Sequence, residues 1–84
     1  MRPDSRIMTV HILTPDETLF SGDAVYVGLP GSDGSLGIME RHAPLITTLQ
    51  SGEVLVRTGN GEETFAVKGG TVEVLNNVVT VLAA

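Results

Sequence analysis

Glycine and proline interrupt this chain so often that no long helix fits between them. Ten glycines, together with Pro15, Pro30 and Pro44, leave only apolar segments of strand length. Within those segments the hydrophobic period is two, the repeat of a pleated strand with one buried face. Met8, Val10 and Ile12 alternate with Thr9 and His11, and Val25, Val27 and Leu29 alternate with Ala24, Tyr26 and Gly28. Val54 and Val56 sit between Glu53 and Arg57, and Phe65 and Val67 alternate with Thr64, Ala66 and Lys68. Val72 and Val74 flank Glu73, and Val79 and Val81 flank Thr80. Valine and threonine suit such surfaces, because branched side chains pack there without the rotamer cost they carry in helices.

The turn chemistry agrees. Thr58-Gly59-Asn60-Gly61 separates two strand candidates, and Asn60-Gly61 is the strongest short hairpin signal, since both residues tolerate positive φ. Asn76-Asn77 joins the last two strands by the same logic. The expected fold is all-β, either two sheets packed face to face or a flattened barrel. Neither a linker, a repeat nor a charge block divides the chain, so residues 1–84 are read as one domain.

A chain of 84 residues buries only about 60–65% of the surface its unfolded form exposes. Small scaffolds compensate with disulfides, a metal or a partner. The absence of cysteine removes disulfides and thiolate zinc sites together, and His11 and His42 lie too far apart in sequence to read as a ligand pair. No metal or cofactor is therefore expected. A dense core, a partner, or both must supply the stability. Hydrophobic residues make up 42% of the chain and mean hydropathy is +0.23, an excess read as surface that a partner covers or as a dense β core.

The net charge of −5 disfavours nucleic acid and direct lipid binding, because phosphate backbones and anionic headgroups would repel the chain. Ile7 to Leu13 is too short for a signal or spanning segment and is broken by Thr9 and His11. A cytoplasmic setting is expected unless a host complex holds the chain at a membrane.

The segment Leu29 to Ile38 carries Gly31, Gly34 and Gly37 at every third position, which invites comparison with a phosphate loop. Such a loop needs a helix N-terminus behind it and a terminal Lys with Ser or Thr. Asp33 and Glu40 would repel phosphate and Pro44 ends any helix, so the glycines are read as turn residues. Ser35 has no G-x-S-x-G elbow around it. The pairs Asp16-Glu17 and Glu62-Glu63 are adjacent and diverge in extended backbone, so they do not converge for acid–base work. No catalytic residue is expected. Taken alone, His42-Ala43-Pro44 reads as a loop held extended by proline on its way into a strand.

These residues also form an ordered set. Leu29-Pro30-Gly31 through Gly34, Gly37-Ile38, His42-Ala43-Pro44-Leu45 and Gly52 together resemble the signature of ATP synthase ε subunits, called δ in mitochondria. Leu19-Phe20-Ser21-Gly22 before it, and Gly69-Gly70, Val72-Glu73-Val74 and Val78 to Ala83 after it, extend the resemblance over nearly the whole chain from Thr9.

The resemblance implies a flattened β-sandwich of about ten short strands, seated at the foot of the central stalk. It implies binding to the γ subunit and to the polar loops of the c ring, coupling proton-driven rotation to ATP synthesis without chemistry of its own. It also implies a peripheral position on the cytoplasmic face of a bacterial inner membrane. By position, the loop from Gly34 to Leu45 is expected to face the c ring, through Gly34, Ser35, Leu36, Gly37, Ile38, His42, Ala43, Pro44 and Leu45. His42 and Thr47 are expected to face γ. Members of the family typically continue past the position of Leu82-Ala83 into a helical hairpin, whereas this sequence stops at Ala84. That departure is read either as a natural short form, the preferred reading, or as an excised N-terminal domain, and in both cases as a chain that couples without inhibiting and does not bind ATP. The competing expectation is a free-standing β-sandwich that binds a small ligand or carbohydrate. Such binders display aromatics, and Phe20, Tyr26 and Phe65 are the only ones here, two of them read as internal.

Overall fold

The computed structural model describes residues 7–84, and its regular structure is entirely strand. The order is β1 Met8–Leu13, β2 Thr18–Ala24, β3 Tyr26–Gly31, β4 Gly34–Ile38, β5 Leu45–Leu49, β6 Gly52–Thr58, β7 Gly61–Val67, β8 Gly70–Leu75 and β9 Val78–Ala83. Nine strands among the described residues stand close to the number the resemblance implies.

Hydrogen bonding runs β2-β1-β9-β8-β5-β3-β6-β7, with β4 added on β3. Gly31 and Leu49 make the single pairing between β3 and β5, so the sheet folds over there into two layers. One layer is β2-β1-β9-β8-β5 and the other is β4-β3-β6-β7. On the far side, Phe20 of β2 meets Phe65 of β7 edge to face at 5.8 Å, and both rings pack on the core. The result is a flattened, nearly closed barrel. Every pairing is antiparallel except β1 with β9.

The core is what the alternation predicts. Met8, Val10, Ile12, Val27, Leu29, Val54, Val56, Val72, Val74, Val79 and Val81 are all buried, and no polar residue among those described joins them. Branched side chains interdigitate between pleated faces with few rotamers to lose. One segment departs from the reading. Ala24 is buried and Val25 is not, because the chain bends at Val25 between β2 and β3 and the phase of burial shifts by one residue.

The turns show one confirmation and one correction. Asn76 and Asn77 both take positive φ, 51° and 63°, the mirror-image turn that suits strand twist. The β6–β7 turn is not centred on Asn60-Gly61. Thr58 pairs with Gly61, so Gly59 and Asn60 form the turn and Gly61, at φ 131°, opens the return strand. The Thr58 hydroxyl accepts from the Asn60 amide at 3.1 Å and donates to the Gly61 carbonyl at 3.3 Å, which favours this register. The β3–β4 turn repeats the arrangement, with Ser32-Asp33 followed by Gly34 at φ 130°.

Candidate protein-docking site

Strand alternation assigns every second residue of β5, β8, β9 and β1 to the outside of the first layer. Register then aligns those residues in rows. Leu75 lies opposite Val78, which lies opposite Thr9. Ile46, Glu73, Thr80 and His11 form the next row, continued by Ser21 on β2. Thr48, Thr71, Leu82 and Leu13 form the third. An outward sheet face is normally polar. Here Ile46 is 75% exposed, Leu82 53%, Leu75 46% and Val78 37%, and these are four of the five large hydrophobics that stand in solvent among the described residues. The fifth, Met39 at 54%, begins the connection from β4 to β5. Apolar side chains clustered on one flat face make it a candidate interaction surface.

The polar members of the face are ordered as well. The His11 imidazole and the Ser21 hydroxyl are hydrogen-bonded at 2.9 Å across β1 and β2. At the end of the face near Leu75 and Val78, the Asn77 side chain accepts from the Arg41 amide at 2.6 Å, and its carbonyl accepts from Thr9 at 2.9 Å. Arg41 has φ 65°, so this bond holds the connection between β4 and β5 in a conformation that such residues seldom adopt.

The residues expected to form one c-ring-facing loop are split. Gly34 to Ile38 is strand β4, paired with β3 along its length. Ile38 is fully buried and Leu36 and Leu45 pack against the core, so Ile38 offers nothing at the surface. Ser35 and Gly37 remain exposed, as do His42, Ala43 and Pro44 in the following connection. Gly34 and Ser35 stand at the turn end of β4, whereas Gly37 and the connection that carries His42, Ala43 and Pro44 lie toward its other end. At the turn end, the Ser32 and Thr48 hydroxyls are hydrogen-bonded at 2.8 Å. At the other end, the His42 amide donates to Met39 at 3.2 Å and its ring Nδ1 donates to the Ala43 carbonyl at 2.6 Å. Thr47, expected beside His42, instead turns inward with Leu45. These two line a groove of about 240 Å³ with Gly34, Ser35 and Leu36. A strand alternates its sides, so Ile46 and Thr47 cannot share one face.

Ile46, Leu75, Val78 and Leu82 were not among the expected site residues. Each stands beside a second apolar residue, in Leu45-Ile46, Val74-Leu75, Val78-Val79 and Val81-Leu82. In a strand, two adjacent apolar residues place one of them outside, and that was the available signal.

The second layer has a different outer surface. Tyr26 lies across Gly28 and Gly37, where a Cβ on Gly37 would come within 2.8 Å of the tyrosine hydroxyl. The Arg57 guanidinium covers the ring at 5.0 Å from its centroid, and Arg57 Nε donates to Glu62 at 2.7 Å. The aromatics are thus packed together or covered. Among the described residues, no group of three or more His, Asp or Glu could hold a metal ion, and no helix is long and apolar enough to cross a membrane.

A two-layer β domain with one flat apolar outer face has the form of a module that docks on another protein. Residues 7–84 match the family model described as ATP synthase, Delta/Epsilon chain, beta-sandwich domain, and the chain belongs to that family. The resemblance read from the Leu29–Leu45 segment and its flanks is borne out. The ATP synthase epsilon chain of Delftia acidovorans is 46% identical over 78 residues, covering 89% of this chain and 56% of that one. That of Gloeothece citriformis is 45% identical over 75 residues, covering 89% and 54%. The chain therefore spans about half the length of the curated relatives it matches. The fold matches a chain of the Euglena gracilis mitochondrial ATP synthase, OSCP/F1/c-ring, with TM-score 0.85 at 17% identity, covering 99% of this chain and 53% of that one. It also matches a chain of the Tetrahymena thermophila mitochondrial ATP synthase central stalk/c-ring, with TM-score 0.75 at 20% identity, covering 90% and 62%.

Proposed function

We propose that this domain is a non-catalytic rotor element of an F-type ATP synthase. It docks on the γ subunit through the outer face of β5, β8 and β9, and couples proton-driven rotation to ATP synthesis. The observation that carries this reading is the cluster Ile46, Leu75, Val78 and Leu82 in solvent on one sheet face. Covering what these side chains still expose contributes roughly 3–6 kcal/mol before the cost of association is met. The solved structures with this fold are ATP synthase assemblies comprising F1, the c ring and the central stalk, which supports the choice of partners.

The c-ring contact then belongs to the β3–β4 turn, with Gly34 and Ser35 at its rim. His42, Ala43 and Pro44 sit at the other end, tied through Arg41 to Asn77, and border the γ-facing side. Thr47 belongs with the turn rather than with γ. The complex would hold the chain at the cytoplasmic face of a bacterial inner membrane, as a peripheral protein. Titrating purified γ with wild type and with the Ile46→Asp, Leu82→Asp double variant tests the reading. The variant should keep its thermal midpoint and lose at least 100-fold in affinity, on the order of 3 kcal/mol. Unchanged affinity would remove this face from the interface.

A further inference from the structure

Resting on the docking role just proposed, we infer that the γ surface opposite this face presents a basic side chain, lysine or arginine, against the carboxylate of Glu73. Register puts Glu73 at the middle of the apolar cluster. Ile46 is its direct neighbour on β5 and Thr80 its neighbour on β9. Leu75 is next outward on its own strand, and Val78 and Leu82 lie diagonally across on β9. Direct neighbours in such a pair stand about 5 Å apart and diagonal ones about 7–8 Å, so the apolar side chains ring the carboxylate at close range. Glu73 is exposed and has no ion-pair partner among the described residues, where Arg57 is already engaged with Glu62 on the opposite layer.

Any partner that covers Ile46, Leu75, Val78 and Leu82 must also exclude water from Glu73. A carboxylate stripped of water between two apolar surfaces is strongly disfavoured unless a cation or several donors replace its hydration. A wholly apolar partner surface is therefore rejected, and a basic one selected. A second copy stacked about an axis through the cluster would bring two Glu73 carboxylates together, so the same residue opposes self-association. His11, Thr80 and Ser21 continue the row as hydrogen-bonding groups, and Asp23 at the β2 edge is the other acid on this layer's outer side. Glu73 is the only Asp, Glu, Lys or Arg on β5, β8, β9 or β1, so the attraction at the cluster is for positive charge.

The experiment measures association and dissociation rates of purified γ with wild type, Glu73→Gln, Glu73→Lys and Glu73→Leu, each checked for an unchanged melting curve. A central, desolvated charge pair predicts that Glu73→Gln raises the dissociation rate by about 30-fold or more and that Glu73→Lys abolishes binding. Glu73→Leu should also bind more weakly than wild type. Dissociation rates within threefold of wild type for Glu73→Gln, an effect confined to the salt-dependent association rate, or tighter binding by Glu73→Leu would each overturn the inference. These results leave the γ-docking reading intact if Ile46→Asp still weakens binding. Absence of wild-type binding overturns both.

Discussion

The two outer faces of this sandwich are built from the same kind of strand and end in opposite states. On the β3-β4-β6-β7 layer, Tyr26 lies over Gly28 and Gly37, Arg57 covers Tyr26, and Glu62 holds Arg57. Tyr26, Arg57 and Glu62 there each have a neighbour within the domain. On the β2-β1-β9-β8-β5 layer, Ile46, Leu75, Val78 and Leu82 stand in water around Glu73. The comparison separates self-sufficiency from incompleteness. Both faces carry apolar surface, but only one leaves it without a cover inside the molecule. In a small domain with little core to spare, such surface is tolerated when it serves association.

The contrast can be challenged by three measurements of decreasing size. The interior shared by both layers sets the scale. Ile38, fully buried, should cost about 2–5 kcal/mol when replaced by alanine, read from urea denaturation. A loss below 1 kcal/mol would put Ile38 back among surface residues and reopen its assignment to a contact.

The faces themselves come next. Tyr26→Ala should destabilise by roughly 1–2 kcal/mol, because it removes a half-buried ring, its contact with two glycines and its cation contact with Arg57. Ile46→Ala should change stability by no more than about 0.5 kcal/mol, since its side chain is already solvated. Equal losses at the two positions would erase the distinction drawn between the faces.

The smallest effect concerns the pair Arg57–Glu62, whose side chains are 50% and 48% exposed. Solvent screening limits such a pair, and a double-mutant cycle should give a coupling of about 0.2–1 kcal/mol. Raising the salt concentration should shrink it further. A coupling that persists at molar salt would show that Tyr26 shields the pair more than its exposure indicates.

Much of this architecture was legible in the residues. Val10, Ile12, Val54, Val56, Val72 and Val74 announced their own burial by alternation, and Asn76-Asn77 announced its turn. The failures are as local as the successes. A one-residue bend at Val25 exchanged its burial with that of Ala24, and the Thr58 hydroxyl moved the β6–β7 turn back by one position. Gly34 to Ile38 was read as part of a loop because its glycines suit turns and the family resemblance set it there by position. Its pairing with β3 is non-local, and composition does not report which strand a segment will meet.

The sequence by itself determined that the chain is a β domain, which valines apart from Val25 form its core and which family it joins, since those properties rest on local periodicity and ordered motifs. It also determined that apolar residues exceed alternation, in Leu45-Ile46, Val74-Leu75, Val78-Val79 and Val81-Leu82. Only the tertiary structure decided that the outward members of those pairs fall on one face, because β5 and β8 are distant in sequence and meet through strand order. The same strand order placed Glu73 in their midst, and pairing with β3 made a strand of Gly34 to Ile38. Periodicity fixes the side of a strand on which a residue lies, and pairing alone decides which residues it stands beside.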